Sequence, residues 1–127
     1  MMKHSSANHG PEYRSRLGHP LNAEPGQPRV QVTYRGEVIA DSRDALRFDE
    51  PHYPPVYYFP RQDVMMERLE RSSHESFCAY KGYATYYSIK NGPENAVWSY
   101  EDPYDKMRAL EGRIAFYPEK VDSILIG

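Results

Sequence analysis

Eleven prolines cut this chain of 127 residues into pieces too short for long helices. Between them lie runs rich in tyrosine and β-branched residues, with twelve tyrosines in all. Such residues suit half-buried strands, and prolines and glycines mark the turns between strands. The expected fold class is therefore mainly β. The length is about one domain's worth, enough for a single core.

Charge and cysteine usage narrow the function classes. A formal net charge of −2 leaves no global field to draw in nucleic acid or an anionic membrane, so neither is expected as a partner. No window approaches the roughly 18 apolar residues that a spanning helix needs. The N-terminus lacks the apolar run of a secretory signal. The one cysteine, Cys78, excludes an internal disulfide and cannot build a cysteine zinc site alone. A soluble cytoplasmic protein without metal or cofactor is expected.

Residues 1–28 read as a flexible arm. Pro11, Pro20, Pro25 and Pro28 interrupt it, and it has almost no apolar periodicity. Such a segment buries too little surface to offset its ordering entropy. His4, His9 and His19 match no metal-ligand spacing. Tyr13 and Leu17 are apolar enough to dock on the domain or a partner.

The folded domain is expected over 29–127. Val30, Val32 and Tyr34 alternate with Gln31 and Thr33, Arg35-Gly36 supplies a turn, and Val38–Ala40 returns as the second strand of a hairpin. Asp41 and Ser42 are expected to close it through side-chain to backbone hydrogen bonds. Leu46 and Phe48 mark a short strand, and Pro51, Pro54 and Pro55 prevent regular pairing over 50–55. Val56–Phe59 is an aromatic strand, Arg61–Asp63 a single helical turn, and 64–70 a helical turn that becomes extended. Arg71–Glu75 reads as a polar loop.

Phe77–Ser88, FCAYKGYATYYS, gathers the cysteine, a lysine, a glycine and four tyrosines. Asn91-Gly92 is a hairpin signal, lengthened by Pro93, so that Trp98 on the returning strand lies near Tyr83–Tyr87. Asp102-Pro103 reads as a helix start with Asp102 as the cap. Tyr104, Met107 and Leu110 form its apolar stripe, and Gly112 fits just past its end, which gives one short helix near 103–111. Ile114–Tyr117 is a strand stopped by Pro118, and Val121–Ile126 an edge strand.

Five segments carry a family resemblance: RVQVTYRGEVIADS (29–42), PPVYYFPRQDV (54–64), CAYKGYATYYS (78–88), ENAVWSYEDPY (94–104) and IAFYPEKVD (114–122). In this order the chain resembles domain-of-unknown-function family 427, often labelled nucleotidyltransferase-like. The resemblance implies a compact β-tent, or Mss4-like, fold of two antiparallel sheets meeting at an angle. Many relatives of that architecture hold structural zinc with two cysteine pairs. With Cys78 alone this chain departs from them, so an aromatic core is expected to supply the stability.

Three sets of residues are candidates for chemistry. Cys78 and Lys81 form C-x-x-K, in which an ammonium favours the thiolate; the chain would then be an enzyme using Cys78 as nucleophile or redox thiol with help from Lys81. No local base is evident, although His74 and Glu75 are close, and a small buried cysteine is the plain alternative. Lys81-Gly82 can instead meet an anion. Nucleotidyl transfer is not expected, because paired aspartates after Gly-Ser and a phosphate loop are both missing.

The third set is aromatic: Tyr57, Phe59, Tyr80, Tyr86, Trp98, Tyr100, Phe116 and Tyr117. At least half must be core. The leading expectation is a small-molecule pocket with Tyr58, Arg61, Tyr80, Lys81, Tyr86, Trp98 and Tyr100 as ligand-binding residues. Whether catalysis follows binding stays open. The further alternative is a protein-interaction module that uses the arm or a sheet edge, with a weak homo-oligomer among its outcomes.

Overall fold

Short alternating segments become strands throughout the computed structural model, which describes Leu21, Asn22 and residues 28–127. Most of the expected arm over 1–28 lies outside those residues. The strands are β1 (Leu21–Asn22), β2 (Val30–Tyr34), β3 (Glu37–Ser42), β4 (Leu46–Phe48), β5 (Val56–Tyr58), β6 (Leu69–Cys78), β7 (Gly82–Ile89), β8 (Val97–Ser99), β9 (Ala115–Phe116) and β10 (Ser123–Ile126). The fold is mainly β, as expected. All pairings are antiparallel, in the orders β1-β4-β5, β10-β2-β3 and β6-β7-β8-β9.

The strands form three sheets where two were expected, and the pleat of the four-stranded sheet explains it. Tyr86 pairs with Trp98, and Trp98 with Ala115; Tyr87 pairs with Val97, and Val97 with Phe116. Successive side chains point to opposite faces. Tyr86, Ala115 and Trp98 accordingly pack with Leu46, Phe48 and Tyr58 of the β1-β4-β5 sheet. Tyr87, Val97 and Phe116 pack with Val30, Val32 and Ile39 of the β10-β2-β3 sheet. A sheet apolar on both faces needs a layer on each side.

The β2–β3 hairpin turns on Arg35 (φ 50°) and Gly36 (φ 78°), a primed turn that matches strand twist. Ser42 acts as expected: its Oγ accepts the Asp44 N–H at 2.9 Å, and it donates to Asp63 at 2.7 Å. Asp41 does not; its carboxylate takes both arms of the Arg29 guanidinium, at 2.6 and 2.8 Å.

Two further expectations are corrected. Arg71–Glu75 is not a loop but part of β6, where Ser72–His74 bulge against the single residue Tyr86. Its polarity reflects an edge position open to water. The helix near 103–111 is a 3-10 segment, Asp105–Leu110, with a non-helical Met107 at φ −107° and ψ 16°. Met107 and Leu110 are both buried, and a spacing of three matches the three residues per turn of that helix. Tyr104, not Asp102, precedes it, and Asp102 binds Arg108 at 3.2 Å instead. Gly112, just past the segment, is left-handed at φ 71°, as its expected place requires.

Gly82 opens β7 at φ 110°, a conformation that residues with a side chain rarely adopt. An added Cβ would meet Asp102 O and Pro103 Cα at 3.6 Å, ordinary contact. Gly82→Ala is therefore expected to cost about 1–3 kcal/mol through backbone strain alone. Urea unfolding measures it, and an unchanged midpoint would show that the turn relaxes freely.

Candidate functional site

Residues 78–81 reverse the chain between β6 and β7, with the Lys81 N–H bonded to the Cys78 carbonyl at 3.2 Å. The reversal places Cys78, Tyr80 and Lys81 at one end of the four-stranded sheet, facing the β1-β4-β5 sheet. Lys81 is only 5% exposed. Its Nζ lies 4.5 Å from the Tyr80 ring centroid, 4.7 Å from that of Phe48 and 6.0 Å from that of Tyr100. Glu50 Oε1 stands 3.2 Å from the ammonium, and the other Glu50 oxygen accepts the Tyr80 hydroxyl. Cys78 Sγ is 3.9 Å from Nζ.

A buried ammonium is costly unless charge and hydrogen bonds compensate it. Here a carboxylate and three π faces do so, the faces attracting the cation through their quadrupoles. Among the described residues the compensation by hydrogen bonds is incomplete. An ammonium carries three donors. Among the described residues one oxygen, Glu50 Oε1, lies within hydrogen-bond distance of Nζ, with the thiol a weak and longer second partner.

Behind the lysine the wall is aromatic. Tyr58 meets Trp98 edge-on at 6.2 Å and Tyr100 at a tilt at 6.4 Å. Trp98 Nε1 donates to the Tyr58 hydroxyl at 3.4 Å. Burial pushes the Tyr58 hydroxyl far above the usual phenol range, against a smaller opposing effect of that indole bond. Burial does the same to Tyr100, helped by Tyr58 and Cys78 nearby. Both stay protonated and are hydrogen-bonding groups rather than phenolate bases. Tyr86 lies further along the same face, its hydroxyl 3.0 Å from Ser76 Oγ and 3.4 Å from that of Tyr117, with the His74 ring against it at 4.5 Å.

Thus Tyr58, Tyr80, Lys81, Tyr86, Trp98 and Tyr100 share one face of the four-stranded sheet, with Cys78 packed against them. Arg61 is separated from them. It belongs to the opposite face, donating to the Gly112 carbonyl at 2.6 Å and to Glu101 at 2.8 Å, with its guanidinium 5.6 Å from the Tyr87 ring centroid. Tyr87 donates to the same Glu101 oxygen at 2.6 Å, and Arg71 lies 3.3 Å from the other. The pleat separates the two groups, because Tyr86 and Tyr87 are neighbours that point apart. Glu50 escaped the sequence reading. It sits in an irregular acidic step between β4 and Pro51, and only the packing of β4 against the turn brings it to Lys81.

Among the described residues no three His, Cys, Asp or Glu side chains gather as metal ligands. Glu101 and Asp102 turn to different partners, Arg61 and Arg108. No described helix is long and apolar enough to cross a membrane. A sequence profile for the family described as "Domain of unknown function (DUF427)", whose short name carries a nucleotidyltransferase label, matches residues 22–127. No curated protein matches the chain.

Burial raises the Glu101 carboxyl, but the Tyr87 hydrogen bond and the charges of Arg71 and Arg61 outweigh it and hold its pKa below the usual value of 4.5. The stabilisation is therefore complete above that value and is lost as pH falls through the depressed folded-state pKa. Glu101→Gln is expected to cost about 1–2 kcal/mol at pH 7, and less and less below about pH 4. Urea titrations of both proteins across that range measure the difference; a gap that stays constant with pH would contradict it.

Proposed function

The chain belongs to the DUF427 family, and from the site it builds we propose that it binds a small neutral molecule at the Lys81–Glu50 pair. One observation carries this reading. Lys81 is 5% exposed yet has a single oxygen acceptor among the described residues. Buried donors are normally satisfied, and an oxygen-bearing ligand supplies what Glu50 alone does not.

The surroundings describe that ligand. Glu50 already neutralises the ammonium, so a second anion would gain little charge and would face three electron-rich ring faces. A neutral carbonyl fits better. A flat body attached to it would rest against Tyr100, Tyr58 and Trp98, as in pockets that are mostly apolar with a few converging polar groups. Glu50 and Cys78 keep partial exposure, which marks the side of entry. A cytoplasmic location agrees with a chain whose one cysteine forms no disulfide. Two of the sheets enclosing one core agree with a β-tent arrangement.

A thermal-shift panel of neutral amides, lactams and ureas, with simple carboxylates as controls, tests the reading. Neutral carbonyl compounds are expected to raise the melting temperature. Lys81→Met alone removes the cation beside the Glu50 carboxylate and is expected to cost about 3–5 kcal/mol. The double variant Lys81→Met/Glu50→Gln removes both charges, should recover most of that stability, and should not respond to the panel. A panel without effect, a preference for carboxylates, or an unchanged response of the double variant would defeat the proposal.

The 3.9 Å between Lys81 Nζ and Cys78 Sγ favours a second reading, an enzyme with Cys78 as its nucleophile. A neighbouring ammonium stabilises the thiolate. Iodoacetamide at neutral pH is then expected to alkylate folded protein faster than a short peptide containing the same cysteine, with Lys81→Met slowing it. A thiol that reacts only after unfolding would remove this reading.

A further inference from the structure

Trp98 also faces a second space, one that the lysine does not reach. A cavity of about 300 Å³ lies where the start of β5, the β8–β9 edge and β10 meet. Its lining shares only Trp98 and Val56 with the aromatic cluster around Lys81. We propose that this cavity is a separate binding site for an uncharged planar molecule of one or two fused rings.

Four features lead there. No lining side chain carries a formal charge, and the lining is formed by Pro, Val, Ile, Tyr, Phe and Trp. An ionised ligand would lose hydration with no opposite charge to replace it, a cost that a neutral one avoids. Pro54, Pro55 and Pro118 set the rim; their fixed φ angles make the site largely preformed, so little ordering is needed on binding. The Phe59–Phe116 pair, edge to face at 5.7 Å and almost wholly buried, is part of the lining and anchors it to the core. The volume is at the lower end for ligand pockets, the size for a small ring system rather than a chain segment.

The neighbouring edge suggests the rival occupant. On β10, Leu125 and Ile126 are 59% and 52% exposed, so a second copy could lie along that strand. A protein interface of the usual kind buries on the order of 1,000 Å² or more. A concavity of this size accounts for little of that, so the small planar ligand is preferred and self-association becomes an outcome of the test.

Indole is the probe, with indole-3-carboxylate as its charged counterpart. Titrations would follow the Trp98 indole N–H and the Ile124 and Ile126 methyl signals by NMR. Indole is expected to shift all three saturably, with a dissociation constant of about 1 mM or tighter. The carboxylate should bind roughly tenfold more weakly or worse. Ile126→Glu puts a charge at the rim from a position already half exposed, so the fold should hold while indole affinity falls roughly tenfold. Lys81→Met/Glu50→Gln should leave indole binding unchanged, which separates this site from the one at the lysine. The proposal is overturned if the shifts do not saturate, if the carboxylate binds equally well, if Ile126→Glu binds as the wild type does, if the double variant abolishes binding, or if the same signals move with protein concentration alone.

Discussion

Strand β7 is covered on both faces, and the rest of the fold follows from that. Its side chains alternate between two cores, Ala84 and Tyr86 on one side, Tyr87 and Ile89 on the other. Each core buries apolar area against a different sheet, and each such contact contributes roughly 25 cal/mol per Å² removed from water. Losing either flanking sheet would expose half of β7. The register is equally constrained, because a slip of one residue would exchange the contents of the two cores.

The same pleat separates two polar clusters. On one face Lys81 and Glu50 lie among aromatic rings with little access to water. On the other, Arg61, Arg71, Tyr87 and Glu101 form a network that is partly open to it. The second reads as structural. Arg61 ties its own turn to the Gly112 carbonyl, and Glu101 accepts from several donors at once, so the network is well satisfied. In the first, one oxygen among the described residues lies within hydrogen-bond distance of the Lys81 ammonium. A buried ion pair seldom stabilises more than an apolar pair of the same volume would, so stability is a weak reason for its presence. That contrast moves functional interest from the more exposed cluster to the buried one.

Much of the chain was legible because its punctuation is local. The Arg35-Gly36 turn and the proline-bounded strands depend on φ preferences of the residues themselves. That Trp98 lies near Tyr83–Tyr87 followed from a hairpin signal and strand alternation, and the structure pairs it with Tyr86. The failures share a cause too. A polar edge strand and a polar loop have the same composition, and only pairing to β7 distinguishes them at Arg71–Glu75. An Asp-Pro step reads as a helix start, but the buried spacing of Met107 and Leu110 tightened the segment into 3-10 form.

The sequence by itself determined that the chain is built of short strands, that Cys78 and Lys81 lie in one tyrosine-rich stretch, and which family it resembles. These rest on backbone preferences and alternation, which act over a few residues. Tertiary structure alone decided which face each aromatic ring joined. It removed Arg61 from the lysine's company, brought in Glu50 from 31 positions away, and opened a cavity beside Trp98. Those outcomes depend on how three sheets stack, and stacking is set by the total apolar area buried between layers, which no local stretch encodes.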